Sequence, residues 1–533
     1  MIMVRICYFI NKVSGVRCWL LFACLCIAAC SKKPTNVSKV EALPEIYPDY
    51  TGVTIPVGLA PLDFAMADED FTTIDVEVKG SKAGHLHANG VYADFDIDAW
   101  HQLLEQNKGG VLTFTVCAEK NGQWLQYRDF IVQVSADALE EWGVTYRRIP
   151  PSYELYSQMG LYQRNLGTFE ETELFQNTRV DGNCVNCHTT NRTNPDQYVF
   201  HVRGEHGATV ISGEILMAKN DTLGGSMVYP YWHPGGRYCA FSTNKTSQMF
   251  HSNMKNKRIE VYDSSSDVFV YDTQTHTILR DTLVMKVFWA ENTPAFSPDG
   301  KWLYFTTAKR QVYPTDYDKE MYSLCRVSFN EQTGRLGEQV DTLINTLETG
   351  KSVSWPRPSY DGRYVMYTQT DYGYFSIWHP EADLWLLDLE TGETRSIDEV
   401  NSALSDSFHN WNTNSSWFLF TSRSEDGLYT RLYFSHFDKQ TGKATKPFLL
   451  PQRNPRHYYQ QSMYSYNTPD FASRVLDAQT GDGRTLIQHQ LGLLLKGQSA
   501  TQILGTFLST QIRILVRKRL CRHELAGTEQ QNN

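Results

Sequence analysis

Ala295-Phe296-Ser297-Pro298-Asp299-Gly300-Lys301-Trp302-Leu303-Tyr304-Phe305-Thr306 is the stretch whose reading decides the fold. Pro298 presets φ at the first turn position and Gly300 takes the position that a side chain resists, so the chain reverses tightly between two strands. The pattern recurs at Tyr231-Trp232-His233-Pro234-Gly235-Gly236-Arg237-Tyr238-Cys239-Ala240-Phe241-Ser242 and at Pro358-Ser359-Tyr360-Asp361-Gly362-Arg363-Tyr364-Val365-Met366-Tyr367-Thr368. A looser copy runs from Trp411 to Thr421, with Ser415 at the glycine position. The turn positions Gly236, Gly300, Gly362 and Ser415 are 64, 62 and 53 residues apart, which suits four-stranded units joined by variable loops. A second hairpin follows each turn, as at Val268 to Asp272, Arg326 to Phe329, Leu384 to Asp388 and Leu432 to Ser435. Such a sheet buries its faces only against its neighbours, and radial stacking that closes the edges gives a β-propeller.

The Ser-Pro-Asp-Gly-Lys turn followed by an aromatic strand resembles the TolB-type, WD-like propeller repeat. The resemblance covers residues 223–471 and implies a propeller of five to seven blades. Four are visible, and Gln197–Asp221 and Tyr464–Phe471 supply further strands.

Upstream, Ile74, Val76 and Val78 share one strand face, and Leu112, Phe114 and Val116 another, with Phe130, Val132 and Val134 repeating the period of two. Asn121-Gly122 is a strong hairpin turn, because both positions need positive φ. Asp98 to Asn107, with Trp100, Leu103 and Leu104, reads as one short helix. Residues 47–136 are therefore expected to form a small β-sandwich-like domain, and residues 137–222 a non-repetitive segment before the propeller. The fold class is mainly β, in keeping with 30 Tyr and 12 Trp. After Phe471 the pattern breaks: residues 472–533 hold one aromatic, Phe507, and a basic stretch from Arg513 to Arg522, which reads as an appended tail or a membrane-surface helix.

Arg5, Lys12 and Arg17 precede a short apolar run from Cys18 to Ala29, the layout of a signal peptide over residues 1–29. Leu25-Cys26-Ile27-Ala28-Ala29-Cys30 resembles the lipobox of bacterial lipoproteins. The resemblance implies a diacylglycerol thioether on Cys30, a tether over 30–46, and a place on the periplasmic side of the cell envelope. Ser31, not being the acidic residue used for inner-membrane retention, points to the outer membrane. A formal net charge of -9 gives no electrostatic pull toward nucleic acid. The partners expected are a redox protein or other envelope proteins, with the membrane reached through the lipid.

Cys184-Val185-Asn186-Cys187-His188 has the spacing that attaches haem c: two thiols three residues apart reach two vinyl groups of one porphyrin, and the adjacent histidine supplies an axial ligand. For the second axial ligand the candidates are His201, thirteen residues on, with Met159 and His206 as alternatives. Arg203 is placed to pair with a propionate. Two other readings stay open. One is a thioredoxin-like thiol pair, although no βαβ pattern surrounds it, and the other is a zinc site completed by His201 or His206. Cys117, Cys239, Cys325 and Cys521 are scattered and make no disulfide framework. His233, His251, His379 and His409 read as scattered. No phosphate loop, nucleophile elbow or His-Glu-x-x-His helix is present. The expected function is electron transfer by a lipid-anchored haem protein; the alternatives are a haem-dependent propeller oxidoreductase and a TolB-like envelope interaction module whose cysteine motif is structural.

Overall fold

The computed structural model describes residues 33–150, 158–179, 183–204, 207–212, 214–218, 227–251 and 259–476. The signal sequence, Cys30, His206 and most of the 472–533 tail lie outside them. No helix among the described residues is long and apolar enough to cross a membrane.

Five four-stranded sheets and a final five-stranded one follow one another from Gly143 to Ala472, making a six-bladed propeller. Blade two comprises Asn183–Asn191, Asn194–Gly204, Ala208–Ile211 and Glu214–Ala218. Blade three starts at Val228–Trp232, blade four at Trp289–Phe296, blade five at Ser352–Pro358 and blade six at Asp406–Trp411. Blade one is shared between distant parts of the chain. Its innermost strand, Ser465–Ala472, pairs antiparallel with Gly143–Ile149, running from Gly143 opposite Ala472 to Ile149 opposite Ser465, and Gly160–Asn165 and Glu171–Gln176 lie outside it.

The propeller therefore starts near residue 143 and not 223. Residues 137–222 are two blades rather than a separate segment. Their turns hide the repeat: in blade two the Asp-Gly turn is replaced by Arg192 and Thr193, both left-handed at φ 50 and 66. Elsewhere the expected turn chemistry is in place. Ser297 Oγ donates to Asp299 Oδ1 at 2.6 Å and accepts from the Trp302 N–H at 3.0 Å. Ser359 and Asp361 repeat the contact at 2.6 Å. In the degenerate copy the Asn412 side chain takes the serine's part, accepting from the Trp417 N–H at 2.9 Å.

The small N-terminal β domain is one seven-stranded sheet, centred on Gly110–Lys120 and Phe71–Gly80, with a minor two-stranded sheet of Ile46–Tyr47 and Ala65–Met66. A helix, Ile97–Gln106, capped by the Asp96 side chain, buries Trp100, Leu103 and Leu104 against it. The core does not stop at the domain edge: Val76, Phe114 and Val132 belong to one apolar cluster with Trp417, Leu419, Phe434 and Phe448 of blade six. A period of two announces one apolar face but not what covers it, and here a helix and a propeller blade share that task.

Candidate functional site

Each innermost strand carries a bulge with one non-glycine residue in the left-handed region. These are Thr468 in blade one, Cys187 in blade two, then Tyr229, Thr293, Trp355 and Phe408, all with φ between 43 and 56. The register shifts fall at the same place, for example between Asn186 and His188 and between Ser354 and Arg357. Bulges re-aim side chains, and here most of them aim at the axis. Trp355 meets Tyr229 edge-on at 4.9 Å and Phe408 at 4.8 Å, and Cys187 belongs to the same apolar cluster. The residue after each bulge is Pro469, His188, Pro230, Pro294, Pro356 and His409 in turn. The Cys187-His188 pair thus occupies the slot that four other blades fill with a residue and a proline. That recurring proline, at 230, 294, 356 and 469, is the sequence signal that would have placed the cysteine motif inside the propeller.

On one side of this ring lies a funnel of about 180 Å³, lined by Arg147, Met159, Cys184, Asn186, Arg203 and Arg423 together with five aromatics, Tyr229, Trp355, Phe375, Trp378 and Phe408. On the other side a cavity of about 30 Å³ is lined by Cys187, His188, His409 and Asp470. Cys184 opens on the first, and Cys187 and His188 on the second.

Arg147 ties the motif together. One guanidinium nitrogen donates to Cys184 Sγ at 3.3 Å and to Met159 Sδ at 3.5 Å. Its charge also reaches Cys187 and His188. Burial raises the Cys187 thiol, and the charges of Arg203 and Arg147 oppose that shift. Burial lowers His188 to about 3, with the Arg147 charge acting in the same direction. Neither ring nitrogen of His188 makes a well-formed hydrogen bond, although the Thr145 backbone lies beside the ring. The five cysteines among the described residues, Cys117, Cys184, Cys187, Cys239 and Cys325, are free thiols.

Met159 is brought to the motif through Arg147, and His201 is not. His201 lies opposite Asn186 on the neighbouring strand, where its Nδ1 meets Thr209 Oγ1 at 2.9 Å, and burial lowers it to about 3. Among the described residues no three His, Cys, Asp or Glu side chains converge as a metal-ion site, so the zinc arrangement with His201 is not assembled. Two free thiols, a buried imidazole and a thioether are the donor types that a covalent haem uses, but Cys184 and Met159 line the funnel while Cys187 and His188 line the smaller cavity beyond it.

The histidines expected to be scattered are partly gathered. His379 Nε2 lies 3.0 Å and His251 Nε2 3.7 Å from the buried Glu260 carboxylate. His251 comes from blade three and His379 from blade five, across blade four, and no single repeat position predicts their meeting.

No protein-family model matches the chain, and no curated protein matches it. Among solved structures it is similar to TolB from Acinetobacter baumannii, at 12% identity and a TM-score of 0.39, over 71% of this chain and 86% of that one. It is also similar to a puromycin-hydrolyzing peptidase of Mycobacterium tuberculosis, at 12% identity and 0.33, over 64% of this chain and 52% of that one. The β-propeller domain of the Trilobed protease from Pyrococcus furiosus is matched at 11% identity and 0.28, over 61% of this chain and 79% of that one. Likenesses this distant say nothing of activity. The fold rests on the strand topology. It is a six-bladed β-propeller.

Proposed function

We propose that this chain is an exported, lipid-anchored binding module of the bacterial cell envelope, working through the axial funnel of its propeller. The observation that carries this reading is the funnel itself, with three arginines and five aromatics on its wall and no acid among the described residues that line it. Small-molecule sites are concave and mostly apolar, with a few convergent polar groups, and propeller axes supply that form. The signal sequence and Cys30 support export and anchoring. Replacing Cys30 by alanine is expected to release the protein from membranes into the soluble envelope fraction; a variant that stays membrane-bound removes the lipid anchor from the reading.

A second reading has its own support. Cys184, Cys187 and His188 hold one haem c, with electron transfer as the function and a haem-dependent oxidoreductase as its enzymatic form. What favours it is His188, a buried imidazole with two unsatisfied nitrogens, a costly arrangement unless a ligand completes it. When bound, the haem would supply one-electron chemistry. Cys184 and Cys187 would anchor it and His188 would ligate the iron, with Met159, linked to Cys184 through Arg147, as a candidate second ligand. The pyridine haemochrome spectrum of the full chain, exported from a host that matures c-type cytochromes, separates the two readings. A haem c band that disappears in Cys184→Ala/Cys187→Ala establishes the second, and its absence leaves the binding module with a structural motif.

A further inference from the structure

We infer that the funnel is a carboxylate site, in which Arg203 and Arg147 grip the acid group of an aromatic or flat apolar molecule whose body lies against Trp355, Trp378 and Phe408. This rests on the binding-module reading and names its ligand class. Arg203 is half-buried with its Nε enclosed, and among the described residues it makes no ion pair and that Nε has no partner. Arg147 spends its described hydrogen bonds on two sulfur atoms, and its Nε is likewise without a partner. Asp263 feels the Arg203 charge, yet it is bonded to Asn244 and makes no ion pair with the arginine.

A guanidinium keeps its proton at neutral pH, so an enclosed Nε without an acceptor is costly. Two half-buried cations that face one cavity, with no acid among the described residues of its wall, suit an anion from outside. The guanidinium fork fits a carboxylate in two-point fashion. Nearer the aromatic wall, the Arg423 guanidinium stacks 3.6 Å over Trp378, and burial lowers it to about 9, still cationic at pH 7. Its stacking covers one face of Trp378, and the edge-on packing of Trp355 against Phe408 leaves an apolar wall of ring edges and faces for the body of the ligand. The acid can belong to a free molecule or to the propionates of an attached haem.

The test uses the full chain, purified in detergent from a host without c-type cytochrome maturation, and titrates it calorimetrically with 1-naphthoate and with its neutral counterpart 1-naphthalenemethanol. The acid is expected to bind at least thirtyfold more tightly than the alcohol. Arg203→Met is expected to lose at least thirtyfold of the acid's affinity, and Arg147→Gln at least tenfold. Arg326→Met, in an exposed ion pair of blade four, is expected to bind as the parent does. A cooperative thermal transition checks each variant, and Arg147→Gln decides the matter if Arg203→Met does not fold. Equal binding of acid and alcohol overturns the carboxylate assignment while leaving a binding funnel; no binding of either at millimolar concentration overturns both. A second arm repeats the acid titration on chain matured with haem. Exclusion of naphthoate there identifies the propionates as the carboxylates, and binding by a chain that takes up no haem identifies a free acid.

Discussion

Blades two and four are built on the same frame and filled differently. In both, the innermost strand bends at a left-handed residue, Cys187 at φ 45 and Thr293 at φ 44. Blade four then has Pro294, whose nitrogen carries no hydrogen and needs no acceptor, and turns on Ser297 to Gly300. Blade two has His188, whose imidazole is buried without a partner, and turns on two side-chain-bearing residues in the left-handed region. At both points blade two carries the less stable choice. The frame therefore does not need the cysteine motif, and a stability cost at a site facing the axis marks residues kept for chemistry or binding.

Four measurements can break or sharpen this contrast. The largest effect is expected for Gly300→Val. Gly300 has φ +72, and an added Cβ would sit 2.3 Å from His233 Nε2, so urea unfolding should show a loss of about 3 kcal/mol from backbone strain and overpacking together. Next comes pH. Burial lowers His409 to about 3, with the Arg357 charge adding to it, whereas the unfolded imidazole titrates near its ordinary value of 6.5. The unfolded chain thus binds the proton first. The stability owed to a neutral His409 is complete above about pH 6.5 and is lost as pH falls toward 3. His409→Pro, which writes the other blades' proline into blade six, should make the loss between pH 7 and 4.5 smaller by about 2 kcal/mol; an unchanged pH slope would mean that the ring is not buried as neutral imidazole. Third, exchanging residues between the two blades should act with opposite signs. Pro294→His should cost about 2 kcal/mol by burying an unpaired ring, while His188→Pro should be neutral or stabilising. Equal losses from both would mean that His188 has a partner. The smallest effect is a gain of about 1 kcal/mol for Thr193→Gly, which relieves a β-branched residue at φ 66.

The sequence revealed its repeat wherever the turn residues announced themselves. Pro298, Asp299 and Gly300 encode their turn locally, and Ser359 to Gly362 repeat it, so blades three to six were legible. Blades one and two were legible only as the further strands of Gln197–Asp221 and Tyr464–Phe471, because the turn at Arg192 and Thr193 is enforced by packing and not by residue type. The extent of the propeller was misjudged for the same reason. Asn121-Gly122 and the helix around Trp100 were legible because both signals are local. The cysteine motif was visible as a string, but its position on a bulged inner strand depends on aligning His188 with Pro230, Pro294 and Pro356, and that match involves no shared chemistry. His201 looked reachable by chain length alone, whereas Thr209 holds it. Arg147 could not be found from sequence, since it acts from a different blade, and neither could the meeting of His379 and His251 on Glu260.

The pairing of Ser465–Ala472 with Gly143–Ile149 also sets an order of events in time. Thr468 contributes to the ring around Cys187, and Asp470 accepts from the Thr190 N–H at 2.8 Å and from Asn410 Nδ2 at 2.6 Å, fastening blade two to blade six. If the chain is exported from its N-terminus, as proposed, the two thiols emerge nearly three hundred residues before that last strand arrives. During that interval the circle is open and Cys187 can be reached from the side. Any enzyme that modifies the motif has this interval in which to work, before the final strand shuts the door.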